Sequence, residues 1–189
     1  MSRRASRAWT FDALGLLPAA RFLASPNCDE RPSGERVTLL VVHSLSLPPG
    51  RCSGDAVADL FMNCLDLSAH PYFAELAELR VSAHFFVRRR GELLQFVHAS
   101  KRAWHAGVSA WKDRERCNDF SVGIELEGTD ATPFTAAQYR TLARLTCALQ
   151  ARYPIGDIVG HADIAPGRKT DPGPYFDWAR YRRLLVSAQ

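Results

Sequence analysis

Two histidines stand at the ends of apolar runs: His43 closes Val37-Thr-Leu-Leu-Val-Val-His43, and His161 follows Ile158-Val-Gly160. A side chain at a strand terminus meets the loops that wall a cleft, where ligand sites gather. Ten residues beyond His161, inside a rigid Asp-Pro-Gly-Pro turn, comes Asp171. Two imidazoles and a carboxylate, with water in the fourth place, form the ligand set of a catalytic zinc site. The spacing is no local signature of the HExxH kind, and a single histidine is more often a hydrogen-bonded structural residue than a ligand. Support has to come from other residues.

The segment Ser121-Val-Gly-Ile-Glu-Leu-Glu127 supplies some. Its alternation puts Val122, Ile124 and Leu126 on one strand face and Ser121, Gly123, Glu125 and Glu127 on the other. The apolar face must pack on helices, so the glutamate face is expected to look into an open cleft. A carboxylate there can take a proton from water at the metal and return it to a leaving amine. Glu125 is the better base, being deeper in the strand between apolar neighbours, whereas Glu127 abuts Gly128. Lys169 precedes Asp171 by two and, in an extended segment, projects to the same side. Its ammonium suits an oxyanion formed at a carbonyl. His70, His84 and His98 compete for the metal, and Asp163 is the rival carboxylate. His84 is expected to be a structural hydrogen-bonding residue, and Asp163 sits only two residues from His161.

The elements that must position these groups are legible from periodicity. Val37–His43 is apolar on both faces and reads as a buried central strand. Residues 55–63 and 71–79 read as helices, the second with Phe73, Leu76 and Leu79 on one side. Val81–Val87 and Leu93–Val97 read as strands around an Arg88-Arg-Arg-Gly91 hairpin turn, and Phe120–Glu127 as another strand. Thr135-Ala-Ala-Gln138 is a capping box, with Phe134 and Tyr139 placed as a hydrophobic staple. Its helix runs to about Tyr153, burying Leu142, Leu145 and Leu149. Ile158–His161 reads as a short strand, 165–175 as loop and Phe176–Leu185 as a terminal helix. Strands interleaved with helices give an α/β fold with a mixed sheet.

Composition sets the frame. The 189 residues suffice for one domain with a sizeable core, and 47% apolar with 23% charged residues is a globular balance. The net charge of +4 is modest. Arg3, Arg4 and Arg7 cluster at the start, but the other cations form no stripe and no basic–aromatic groove. Nucleic acid is therefore excluded as a partner, and with it a metal-dependent nuclease. No apolar run approaches the ~20 residues of a membrane span. Five cysteines (Cys28, Cys52, Cys64, Cys117 and Cys147) lack a CxxC pair, and an odd number cannot pair off internally. Reduced thiols in a cytoplasm are expected. Ser2-Arg3-Arg4 is reminiscent of a twin-arginine export signal, but Arg7, Asp12 and Arg21 interrupt the stretch that would have to be apolar.

Five segments then carry a resemblance: residues 40–50 (Leu-Val-Val-His-Ser-Leu-Ser-Leu-Pro-Pro-Gly), 80–84 (Arg-Val-Ser-Ala-His), 101–107 (Lys-Arg-Ala-Trp-His-Ala-Gly), 116–129 and 160–174. Together they resemble the amidase family related to peptidoglycan recognition proteins, in particular its cytoplasmic 1,6-anhydro-N-acetylmuramyl-L-alanine amidases. The match runs in order from about Leu17 to Leu185, and the last two segments are the most specific. The resemblance implies an α/β single domain, a central mixed β-sheet flanked by helices, over 15–189, with 1–14 as a mobile N-terminal extension. It implies Zn²⁺ on His43, His161 and Asp171, Glu125 as general base and Lys169 as oxyanion stabiliser. Arg80 and Arg116 match positions that hold stem-peptide carboxylates, a task suited to bidentate guanidinium. Trp104 and His105 match a segment implied to line the sugar or peptide site. Ser44 stands where the family has Asn, so one substrate hydrogen bond differs. The implied function is zinc-dependent hydrolysis of the lactyl–L-alanine amide of 1,6-anhydro-muropeptides in cell-wall recycling. The implied setting is a cytoplasmic monomer acting on a small soluble muropeptide, with no membrane partner. The alternatives are an exported amidase acting on intact peptidoglycan and a non-catalytic peptidoglycan-binding module.

Overall fold

The computed structural model describes residues 9–188. The strands are Arg21–Phe22 (β1), Cys28–Asp29 (β2), Leu39–Leu45 (β3), Phe85–Val87 (β4), Leu93–Gln95 (β5), Arg102–Ala103 (β6), Ala110–Trp111 (β7), Arg114–Glu115 (β8), Ser121–Glu127 (β9) and Asp157–Gly160 (β10). The α-helices are Ala56–Phe61 (α1), Ala136–Arg152 (α2), His161–Ile164 (α3) and Trp178–Ala188 (α4). Six strands form one sheet in the order β1-β5-β4-β9-β3-β10, and β2–β6 and β7–β8 are separate two-stranded ladders. Only the β4–β5 hairpin is antiparallel within the main sheet; β4, β9, β3 and β10 run parallel. The fold is thus the expected mixed sheet in an α/β domain.

The parallel strands are buried on both faces, as their unbroken apolar runs require. One face carries Leu40, Val42, Phe85, Val122, Ile124 and Leu126, which pack with Leu142, Leu145 and Leu149 of α2 and Tyr181 of α4. The α2 capping box forms: the Thr135 hydroxyl accepts from Gln138 N–H, and the Gln138 carboxamide accepts from Thr135 N–H. Phe134 and Tyr139 both pack on the Phe176 ring, at 5.8 and 5.3 Å between centroids.

The opposite face differs from expectation. All seven residues of β9 are buried, glutamates included, because two smaller clusters flank this face. Phe86, Leu94, Phe96 and Phe61 build one, and Val41, Ala106, Phe120 and Ile164 the other. The glutamate face is therefore roofed, not open.

Several boundaries shift. The helix read over 71–79 is a 3₁₀ turn, Pro71–Leu76, capped by the His70 imidazole accepting from Tyr72 N–H. Phe73 and Leu76 are three residues apart, the repeat of a 3₁₀ helix. The strand read from Val81 begins only at Phe85, because Val81 and Ser82 bond to loop groups instead: Val81 O accepts from Asn27 Nδ2, and Ser82 N–H donates to Trp104 O. His161 does not end a strand but opens α3. Of the residues 1–14 set apart as an extension, 1–8, including Ser2-Arg3-Arg4, lie outside the described residues. Within the remainder, Phe11 is buried edge-on against Phe85 and Tyr153.

Candidate metal centre

His43, His161 and Asp171 converge where the carboxyl ends of β3 and β10 meet a loop, the position at which open α/β sheets bind ligands. His43 Nδ1 lies 3.0 Å from His161 Nδ1 and 3.3 Å from Asp171 Oδ2, and His161 Nδ1 lies 3.2 Å from that oxygen. Tetrahedral zinc with bonds of about 2.0 Å separates its ligand atoms by about 3.3 Å. The triangle has those edges.

Sequence explains how Asp171 arrives there. Gly160 has no side chain, and a Cβ on it would stand 2.8 Å from Pro172 Cδ, so only glycine lets the Pro172 ring lie on the end of β10. Ala162 N–H then donates to Asp171 O and pins the loop. The rival Asp163 accepts from Gly160 N–H at 2.7 Å and so caps α3.

The outer nitrogens of both ligands are engaged. His161 Nε2 faces the Ala106 carbonyl at 3.3 Å, and His43 Nε2 meets His105 Nδ1 at 2.9 Å. Burial, the largest influence on His43, pushes it down to about 4, so its imidazole is neutral near pH 7. Burial alone would raise the Asp171 carboxyl, but hydrogen bonds and charge from His161 and His43 outweigh it and hold it well below the usual carboxylate range. An ionised carboxylate and two imidazole nitrogens within 3.3 Å of one another are mutually compatible when they share a cation. The residues present fit a zinc ion.

Glu125 projects from β9 beside His43, its partner in strand register. Its Oε2 is buried with no hydrogen-bond partner among the described residues. Burial, then the nearby Asp171 charge, pushes its carboxyl well above the ordinary glutamate range, with Lys169 opposing. Glu127 is differently placed: its Oε2 accepts the Arg89 backbone N–H at 2.8 Å. Lys169, Asp171 and Ser44 line one hollow of about 280 Å³, together with Tyr72, Asp130 and Arg168.

A larger hollow of about 550 Å³ adjoins it through Arg168, whose guanidinium bonds Ala106 O and Val108 O. Arg116 lines this second hollow, largely exposed and 3.4 Å from Asp119. Arg80 comes to neither: its guanidinium donates to the carbonyls of Ala77 and Leu79 beside a separate depression. Trp104 stands near Asp29, in the β2–β6 ladder, rather than in either hollow. His105 is half-buried, its Nδ1 against His43 and its ring in the space over Gly123. The remaining histidines are structural. His84 Nδ1 accepts from Gly123 N–H and its Nε2 faces Lys101 O, while His98 Nδ1 faces Leu14 O. Periodicity gave no sign of Tyr72 or Arg168, which sit in a 3₁₀ turn and a loop.

The chain is similar over most of its length to known amidases. Residues 33–174 match the family model described as N-acetylmuramoyl-L-alanine amidase. The chain is 58% identical over 177 residues to the 1,6-anhydro-N-acetylmuramyl-L-alanine amidase AmpD of Escherichia coli (strain K12), spanning 93% of this chain and 96% of the relative. Its fold superposes on the crystal structure of a selenomethionine AmpD derivative with a TM-score of 0.90 and 57% identity, covering 93% of this chain and 98% of that one. It is also similar, at TM-score 0.58 and 31% identity over 82% of this chain and 60% of the other, to the amidase AmiD of E. coli. That enzyme was solved with anhydro-N-acetylmuramic acid-L-Ala-D-γ-Glu-L-Lys.

Proposed function

The chain belongs to the N-acetylmuramoyl-L-alanine amidase family, and on that premise we propose that it is a zinc-dependent enzyme hydrolysing the lactyl–L-alanine amide of 1,6-anhydro-muropeptides. The observation that carries this reading is the triangle of His43 Nδ1, His161 Nδ1 and Asp171 Oδ2 beside the unpartnered Oε2 of Glu125. The near full-length identity to an amidase named for anhydromuramyl substrates supports the substrate class.

His43, His161 and Asp171 would hold a zinc ion, which would supply Lewis acidity toward the carbonyl and the attacking water. Glu125 accepts a proton from the attacking water; its raised affinity for protons suits both that step and the return of the proton to nitrogen. The Lys169 ammonium, in the hollow beside Asp171, stabilises the negative charge that develops on the lactyl oxygen. Water's oxygen ends on the lactyl carbon as a carboxylate, the C–N bond breaks, and alanine leaves as an amine carrying the proton from Glu125. Arg116, on the wall of the adjoining hollow, is placed to take a stem-peptide carboxylate.

Among the described residues no helix is long and apolar enough to cross a membrane. We assign the enzyme a small soluble substrate, met in the cytoplasm by a monomer during cell-wall recycling. Incubation of the purified chain with an anhydro-muropeptide, with and without a chelator, tests the reaction. Free stem peptide should form, and stop forming once the metal is removed. Undiminished release in the chelated sample overturns the zinc-dependent reading.

A further inference from the structure

His43 binds through Nδ1 in the geometry above, so its proton must reside on Nε2. A free imidazole has no strong reason to keep it there, and a buried one follows its partners. The partners of His43 Nε2 form a chain whose polarity can be read from its far end. Ser121 Oγ lies 2.6 Å from the Cys117 carbonyl, which can only accept, so the hydroxyl proton is committed to that bond. His105 Nε2 lies 3.2 Å from the same Oγ and must therefore be the donor. The two ring nitrogens of His105 face an imidazole and a hydroxyl, neither of them a carboxylate that would hold a second proton, so the ring carries one. Its Nδ1 is then a lone pair, and the 2.9 Å contact with His43 Nε2 requires the proton to be on His43. Every step leaves the His43 Nδ1 lone pair directed at His161 and Asp171.

The sheet is cut to receive His105. A Cβ on Gly123 would lie 2.4 Å from His105 Cγ, so the ring occupies the space of the missing side chain. The two rings meet edge to face, 86° apart with centroids 5.0 Å apart. The loop is held as well: His105 N–H and Ala106 N–H both donate to Asn118 Oδ1.

We infer that His105 is a positioning residue for the metal centre: through the relay His43–His105–Ser121–Cys117 carbonyl it locks His43 in the tautomer that presents Nδ1 to zinc. This rests on the zinc-amidase reading of the site. It is distinct from lining the substrate site, the role that resemblance implied for His105, because it acts through the Nε2 of His43 and needs no contact with substrate.

The relay is tested first on the native, full-length protein stripped of metal, by nitrogen–proton correlation NMR of its imidazoles. His43 should show a protonated Nε2 and a bare Nδ1 before any zinc is added. A His43 protonated on Nδ1 overturns the inference without recourse to a mutant. Zinc affinity is then measured by competition with a chromophoric chelator. His105→Ala should bind zinc about 10- to 100-fold more weakly. His105→Gln, which can still offer a carbonyl oxygen to His43 Nε2, should recover part of that loss. A purely structural role would not distinguish these two variants by tautomer. If His105→Ala binds zinc as tightly as the native chain, the relay is overturned while the zinc site stands. If the native chain itself binds no zinc, it is the proposed function that fails.

Discussion

His43 and Glu125 are register partners across the parallel β3–β9 ladder, so their side chains leave the same face of the sheet from adjacent strands. Adjacent strands lie about 4.8 Å apart, and that spacing sets the Glu125 carboxyl beside the candidate metal centre by backbone hydrogen bonding alone. Both residues sit at the centre of the sheet, between β4 and β10. A loop supplies only the third ligand, Asp171. His43 and Glu125 thus stand on paired strands of the sheet, where packing and backbone hydrogen bonds fix a side chain more precisely than a loop does.

Metal content should follow the triangle. The purified protein should carry about one zinc per chain, and His161→Ala should lose both the metal and activity. Elemental analysis alongside an amidase assay checks this; a His161→Ala protein with native zinc and native rate would remove His161 from the centre.

Glu125→Gln should keep its zinc and lose on the order of 10²–10⁴ in rate. Glu127→Gln should change the rate little, because Glu127 is bound to Arg89 N–H rather than facing the metal. The pH dependence has a definite sign. Glu125 must be ionised to act as base, and burial raises its carboxyl, so kcat/KM should fall on acidification through a value above the ordinary glutamate range. A profile flat down to the usual carboxylate range, or a dead Glu127→Gln with an active Glu125→Gln, would transfer the role.

Gly160→Ala probes how Asp171 is delivered. Its new Cβ would meet Pro172 Cδ at 2.8 Å, and the loop must shift to relieve that. Zinc affinity should drop while the sheet, monitored by far-UV circular dichroism, stays native. Unchanged zinc affinity would show that the Asp171 loop is not positioned by this contact.

How much of this was legible in the sequence depended on what each residue answers to. The α2 capping box and the strand Ser121–Glu127 obey local rules, and both appear where those rules put them. The His43–Glu125 pairing obeys register, which no single strand encodes. The place of the His105 ring over Gly123 is a contact across 18 residues of chain, and nothing in Lys101–Gly107 encodes it. The roofed glutamate face was missed for the same reason: alternation identifies two faces but not what packs on each. Arg80 and Arg116 carry no periodic signal, and the structure separates them, placing only Arg116 at the hollow next to the centre.

Lys169→Ala should lower kcat and kcat/KM together, by about 10²–10³, because a contact with the oxyanion is made only in the transition state. Folding should be unaffected, since Lys169 lines a solvent-filled hollow rather than the core. Steady-state kinetics separates the roles: a raised KM with kcat preserved would make Lys169 a substrate anchor instead.

Substrate choice should follow the hollows. Together they form a surface recess beside the triad; Arg168 between them spends its guanidinium on the carbonyls of Ala106 and Val108, while Arg116 on the outer wall holds an exposed guanidinium for a stem carboxylate. That contact is solvent-exposed, so Arg116→Ala should reduce kcat/KM by a few-fold to about tenfold rather than abolish turnover. A soluble fragment can place its lactyl amide at the triad while its peptide reaches Arg116; a cross-linked wall strand has far fewer orientations that do so. Mass spectrometry of products should therefore show free stem peptide appearing much faster from 1,6-anhydro-muropeptide than from the same peptide on a reducing muramic acid end, and slowest from intact sacculi. Equal rates on all three substrates would overturn the anhydro-muropeptide assignment and favour an amidase acting on the wall itself.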